Sequence, residues 1–267
     1  MIPLLLQVSD PHFGTEKPEV CAALRRLAQA EQPRLLLLSG DLTQRARPAQ
    51  FAAARAFADS LGIAHRMVLP GNHDLPLFHL PLRLFAPYAR YRRAFGPAHD
   101  ALSDVDGMRL IGLDSTRRWR HSDGELSAAQ IAATAELLRA TPADTVLKVV
   151  ALHHPLAVNR DTERHNRVRG HREAIARWRE AGADLVLGGH IHLPSVRRLP
   201  DGERTLWAVQ AGTAVSHRTR RDAGNSVNLI RAGRTHGRRV ATVERWDYRA
   251  ADDRFELAAL SALPLND

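Results

Sequence analysis

Five short polar knots, each behind an apolar run, hold the side chains of this chain best suited to bind cations and move protons. Asp10-Pro11-His12 follows Leu4 to Val8, and Gly40-Asp41 follows Leu35 to Leu38. Gly71-Asn72-His73-Asp74 follows the run ending at Leu69, His153-His154 follows Val146 to Leu152, and Gly189-His190-Ile191-His192 follows Leu185 to Leu187. Imidazole, carboxylate and amide donors without a thiolate suit borderline or hard ions such as manganese, iron or zinc. Adjacent residues at a strand end point in opposite directions, so only one of His153 and His154 is expected to reach a shared centre.

The elements that must position these knots alternate through the first two thirds of the chain. Val20, Leu24, Leu27 and Ala28 recur at helical spacing, predicting a helix over Pro18 to Ala30 that Pro33 stops. Phe51, Ala54, Phe57, Ala58 and Leu61 predict another over Pro48 to Leu61, capped by Gly62. Two crossovers then carry Asp10, Asp41 and Asn72 to one edge of a parallel sheet, where α/β proteins place ligands. From Leu75 to Phe95 three prolines punctuate a looser segment, a candidate substrate-facing insertion ending in a helix near Tyr88 to Phe95. Asp106-Gly107 marks a hairpin turn, and Ser127 with Gln130 forms a capping box for a helix to about Arg139. The arginine-laden stretch Val158 to Gly170 is expected as a loop over the site, followed by a helix over Glu173 to Ala181.

Beyond His192 the pattern turns to strands, at Val196 to Leu199, Leu206 to Ala211, Val227 to Arg231 and Val240 to Trp246. The fold class expected is α/β, a two-sheet β sandwich flanked by helices in four layers. One domain is expected over residues 1–267, with the β-rich part at about 194–250 forming part of the second sheet.

Composition narrows the setting. With 267 residues, 44% hydrophobic and 25% charged, the chain can bury a full core. No apolar run approaches the ~18 residues of a membrane span. The start Met1 to Leu6 has no basic segment and reads as a first strand, so the expected location is cytoplasmic. A lone cysteine, Cys21, excludes an internal disulfide and reads as a small core residue. Net charge is +9, and apart from Lys17 and Lys148 every basic residue is arginine, which looks like compositional bias. Most arginines are expected on solvated surface. One or two in the clusters at Arg117 to Arg120, Arg160 to Arg172 or Arg218 to Arg221 are expected to hold phosphate, which a guanidinium binds in bidentate fashion.

Taken together, Asp10-x-His12, Gly40-Asp41, Gly71-Asn72-His73-Asp74, His153 and Gly189-His190-x-His192 resemble the calcineurin-like metallophosphoesterases, in that family's order and over residues 1 to about 215. The resemblance implies two divalent cations, manganese or iron with zinc also suitable. It assigns Asp10, His12, Asp41 and His192 to one, and Asp41, Asn72, His153 and His190 to the other. If Asp41 bridges, the cations sit ~3.5 to 4 Å apart, a spacing suited to in-line displacement at phosphorus, and acidify a water held between them. Asn72, a neutral oxygen donor, limits negative charge where a phosphate must bind. The resemblance places His73 against the substrate as a catalytic group, with bridging Asp41 the other. Asp74 either orients His73 or caps the turn, and His154 supports the site or faces substrate. His65, His79, His121, His165, His171 and His217 read as surface or satisfied polar groups.

Leu113-Asp114-Ser115, Gly124 to Gln130 and His153-His154-Pro155 further resemble the class III cyclic nucleotide phosphodiesterase branch, though these motifs read as architectural. Leu156 departs from that branch, where a second proline is common. The leading expectation is hydrolysis of a small phosphodiester, a 3′,5′-cyclic nucleotide first. Nuclease activity, motivated by the positive charge, and phospholipid or nucleotide-sugar diester hydrolysis are the alternatives. A non-catalytic interaction scaffold is a further reading, disfavoured because every ligand type is present. Oligomeric state is not set by the sequence.

Overall fold

Unbroken leucine runs make strands that must be covered on both faces, and the computed structural model, which describes residues 4–97, 101–200 and 202–266, buries them completely. β1 (Leu4–Val8) and β2 (Leu35–Ser39) are buried at every position, and β3 (His65–Leu69) continues the parallel order. The crossovers are α1 (Pro18–Glu31) and α2 (Pro48–Ser60), each opening on proline, where a missing N–H leaves no bond unmade. Their apolar faces, Val20, Leu24 and Leu27 with Phe51, Ala54 and Phe57, pack on this sheet, and Cys21 is buried among them. Two short helices, α3 (Leu80–Phe85) and α4 (Ala89–Phe95), form the proline-punctuated insertion.

The second sheet begins with the hairpin of β4 (Ala101–Val105) and β5 (Met108–Leu113). Asp106 and Gly107 both have positive φ, 50° and 80°, as the mirror-image turn of a two-residue hairpin requires. α5 (Ala128–Arg139) starts at the capping box, with Gln130 N donating to Ser127 Oγ at 3.1 Å. β6 (Leu147–Leu152), α6 (His171–Glu180) and β7 (Leu185–Gly188) extend the sheet in parallel. β8 (Ser195–Arg198) and β9 (Trp207–Gln210) complete it. The stretch expected as a loop over Val158 to Gly170 contains a single 3-10 turn at Asp161–Asn166, and Val168 within it is fully buried.

The last three strands are a meander of β10 (Ser226–Thr235), β11 (Arg238–Arg249) and β12 (Arg254–Pro264). The sheets run β12-β11-β10-β1-β2-β3 and β4-β5-β6-β7-β9-β8. This corrects the expectation that residues 194–250 join one second sheet. β8 and β9 do, but β10 pairs antiparallel with β1, Leu6 opposite Leu229, and carries β11 and β12 into the first sheet. Alternation of apolar residues identifies a strand but says nothing of which free edge it will pair with.

Leu5, Leu35, Leu37 and Leu69 of the first sheet face Leu110, Val149, Leu185 and Val209 of the second, with helices on both outer surfaces. At one end of this seam Arg239 of β11 makes two bonds to Asp184, beside β7, at 2.9 and 3.0 Å. At the other end the parallel strands of both sheets release the five knots. No helix of the described residues is long and apolar enough to cross a membrane.

Trp178 of α6 is fully buried and its indole N–H donates to Ile131 O of α5 at 3.0 Å, locking the two helices that cover the second sheet. Trp178→Ala should lower the unfolding free energy by about 3–5 kcal/mol, the usual loss for a large aromatic leaving a cavity. Urea denaturation measures it.

Candidate active site

The knots share a backbone device. Asp10, His12, Asp41, His190 and His192 all adopt left-handed conformations, with φ of 51°, 45°, 50°, 71° and 56°. Each such non-glycine residue costs on the order of 1–3 kcal/mol and persists only where its surroundings hold it. Neighbouring turns do so. Asp10 N donates to Gly40 O at 3.1 Å, His12 N to Asp41 O at 3.0 Å and Gly189 N to His153 O at 2.8 Å. Two glycines make room: a Cβ on Gly40 would stand 2.4 Å from His153 Nδ1, and one on Gly71 would stand 2.2 Å from Asp41 N.

The turns aim their side chains at a common centre. His12 Nε2 lies 3.1 Å from His192 Nε2, 3.8 Å from Asp10 Oδ1 and 3.7 Å from Asp41 Oδ2. His192 Nε2 is 3.2 Å from Asp10 Oδ1. On the other side His153 Nε2 is 3.4 Å from Asp41 Oδ1 and 3.2 Å from Asn72 Oδ1. The His190 ring packs 5.2 Å from that of His153, centre to centre, and its backbone N–H donates to Asp10 Oδ2 at 3.0 Å. Asp10, His12 and His192 form one group of converging donor atoms, and Asp10, Asp41 and His153 another, each within 4.8 Å.

This arrangement fits cations. His153 Nδ1 faces Ser39 O at 2.9 Å and His192 Nδ1 faces Arg218 O at 2.6 Å. Each Nδ1 must therefore carry the proton, which leaves the Nε2 lone pair turned inward. Lone pairs and carboxylate oxygens then face one another, while, among the described residues, the buried Nδ1 atoms of His12 and His190 have no hydrogen-bond partner. Titration expresses the same demand for positive charge, with a proton in the place a cation would take. Burial opposes charge on His153, yet the adjacent Asp41 outweighs it and pushes the imidazole up to about 9. Burial also disfavours charge on Asp10 and Asp41, but the surrounding imidazoles, His192 foremost for Asp10 and His153 for Asp41, hold both carboxylates below their ordinary range. Burial drives His12 down to about 3 and His190 to about 4, which keeps both neutral, the form able to bind a cation.

The remaining site candidates divide. His73 stands at the rim, its backbone N–H donating to Asp41 Oδ1 at 2.8 Å and its ring Nδ1 facing Gln44 O at 2.9 Å. Asp74 turns away from that imidazole: its carboxylate accepts from the N–H groups of Gly71, Leu42 and Thr43 and from the Thr43 hydroxyl, at 2.9 to 3.0 Å. Of its two expected roles it performs the turn-capping one. Burial first, and then the Asp41 charge, push its carboxyl up to about 7. His154 is fully buried with both ring nitrogens engaged, Nδ1 with Ser115 Oγ at 2.8 Å and Nε2 with Ser122 O at 3.0 Å. It ties the loop after β5 to the end of β6. Sequence reasoning missed Ser9, whose hydroxyl donates to Asp10 Oδ2 at 2.6 Å; Thr213, just past β9, holds Asp10 O at 2.7 Å. Carbonyl partners such as Ser39 O and Gln44 O leave no trace in residue identity.

Residues 4–194 match the family described as Calcineurin-like phosphoesterase. A probable cyclic nucleotide phosphodiesterase of Rhodococcus erythropolis is 25% identical over 248 residues, 85% of this chain and 78% of that protein. Another probable cyclic nucleotide phosphodiesterase, from Synechococcus sp., is 30% identical over 138 residues, and this chain spans only 48% of its length and 52% of its own. A dimetal phosphatase from Danio rerio superposes with a TM-score of 0.67 at 13% identity, over 99% of each chain, and so shares the fold. With the family matched over most of its length, the chain belongs to the calcineurin-like phosphoesterases and is a metal-dependent phosphoester hydrolase.

Proposed function

We propose that the chain hydrolyses a small phosphodiester, with 3′,5′-cyclic nucleotides as its first substrate class, by means of two divalent cations. The observation that carries this reading is the division of Asp41: Oδ2 faces His12 while Oδ1 faces His153. A carboxylate split between two donor groups is how neighbouring cations share a ligand. Asp10, His12, Asp41 and His192 would hold one, and Asp41, Asn72, His153 and His190 the other. Manganese and iron suit this oxygen and imidazole set, and so does zinc. When bound, the pair supplies Lewis acidity that neutralises phosphate charge and brings the pKa of water toward neutrality.

The chain supplies everything else. The buried strand ends hold the donors in fixed turns, so no reorganisation accompanies charge development. Asn72 contributes an uncharged oxygen, leaving the cations' field available to the phosphodiester. In the reaction the oxygen of water bonds to phosphorus, the ester P–O bond opens, and the proton lost by the water passes to the departing oxygen. His73 is placed for that transfer. With its Nδ1 hydrogen on Gln44 O, it presents the Nε2 lone pair to the cleft, where it can take up that proton and hand it to the departing oxygen. A shallow pocket lined by Gln44, Arg45, Leu75, Leu77 and His121 opens beside it. The cyclic nucleotide assignment draws support from the two relatives of that description.

Three outcomes are expected. Manganese-loaded protein should release product from an aryl phosphodiester and from 3′,5′-cyclic AMP faster than from an aryl phosphomonoester, 2′,3′-cyclic AMP or single-stranded DNA. Turnover of DNA alone would move the assignment to a nuclease. Asp41→Ala should lose bound metal, by elemental analysis, together with all turnover. His73→Ala should keep its metal and lose about 10²- to 10⁴-fold in kcat, the usual contribution of a general acid or base. Metal loss in that variant would contradict the rim position of His73.

A further inference from the structure

The segment after β9 is fastened to the cluster along its length. Thr213 Oγ1 donates to Asp10 O and lies 2.7 Å from Ser216 Oγ, while Ala214 N and His217 N bond Ser9 O and Thr15 O at 2.9 Å each. Arg218 N then donates to Ser216 Oγ at 3.2 Å, and Arg218 O takes the His192 Nδ1 hydrogen. The backbone of Arg218 is stationary beside the site, leaving its side chain alone to adjust. That side chain reaches across the mouth of the cluster. Its Nη1 lies 3.0 Å from His73 Nε2 and 3.2 Å from Gln44 Oε1.

Neither contact is to a carboxylate, yet the guanidinium is charged at every accessible pH. Nearby arginines are differently placed: Arg220 pairs with Glu163 at 3.0 Å and Arg160 pairs with Asp222. Among the described residues Arg218 has no carboxylate partner. A permanent cation, exposed at the mouth and resting on an amide oxygen and an imidazole, has weak partners that a phosphate oxygen readily displaces, because charge-assisted bonds are about twice as strong as neutral ones.

We infer that Arg218 binds a non-bridging oxygen of the substrate's phosphate, and so positions the ester for hydrolysis; the inference rests on the phosphodiesterase reading above. Its planar N–H fork matches the phosphate edge in a way an ammonium does not. Transfer of the guanidinium from His73 to the phosphate also frees Nε2 to face the departing oxygen. One movement thus engages the substrate and uncovers the group that serves the leaving oxygen.

The test compares manganese-loaded wild type, Arg218→Ala and Arg218→Lys in three measurements: metal content, KM and kcat for 3′,5′-cyclic AMP and the aryl diester, and calorimetric binding of inorganic phosphate. Arg218→Ala should keep its metal, weaken phosphate binding and raise KM by about 10- to 100-fold, the worth of one hydrogen bond to a charged group. Arg218→Lys should recover part of both losses. Unchanged phosphate affinity and KM in Arg218→Ala would overturn the inference. Loss of metal from it would also overturn the inference, by showing that the side chain instead steadies the backbone carbonyl that holds His192. If wild type cleaves neither diester while Arg218→Ala still loses phosphate affinity, the phosphodiesterase reading fails and the phosphate role of Arg218 stands.

Discussion

Two buried carboxylates at the open edge of a sandwich set the terms for everything around them. Asp10 and Asp41 have relative exposures of 0% and 2%, and an ionised carboxylate in such a place is costly unless positive charge faces it. Around them are imidazoles rather than lysines or arginines, and two of those imidazoles present lone pairs inward because their other nitrogens are committed to carbonyl oxygens. The protein thus creates a demand for positive charge that its own side chains only partly meet. The proposed pair of divalent cations would meet it. The raised His153 and the depressed Asp10 and Asp41 express the same demand in protons.

Holding that cluster requires a rigid frame, and the fold supplies it by making two parallel segments open toward one edge. The apolar seam between the sheets is built from side chains that are almost all fully buried, so the strand ends have little freedom to shift. Five left-handed residues at those ends store backbone strain on the order of several kcal/mol. Pairing between adjacent turns, together with close approaches at Gly40 and Gly71, offsets it. Strain of this kind is tolerable only in a protein whose core is secure, and here it lies where the chemistry is.

The same frame gives each polar neighbour a distinct job. Asp74 could look like a third acidic ligand, yet it spends its oxygens on backbone amides of the turn that carries Asp41. His154 lies next to a cluster histidine in sequence and is locked between Ser115 and Ser122. Asp74, in the 3-10 turn Asn72–Asp74, is turned by the amides it caps, and His154, whose ring packs 4.8 Å from that of His190, commits both nitrogens to the loop after β5.

Much of this was legible before any coordinates. Residue types after apolar runs located the cluster, since a strand ending in Asp, Asn or His at a sheet edge has few structural reasons to do so five times. Helical spacing placed α1 and α2 to within a residue, and Asp106-Gly107 and Ser127 to Gln130 announced their turn and cap because those signals are local. Other features were not local and were not legible. The 254–264 strand went unread, and the split of the 194–250 region between two sheets depends on which edge β1 leaves open to β10. The orientation of Asp74, the carbonyls that set histidine tautomers, and the span from Arg218 to His73 each join residues at least thirty apart, or a side chain to a backbone atom of no particular identity. The sequence by itself determined the chemistry available, because donor atoms belong to residue types. Only the tertiary structure decided which donors meet and which face away, because that depends on distances no spacing encodes.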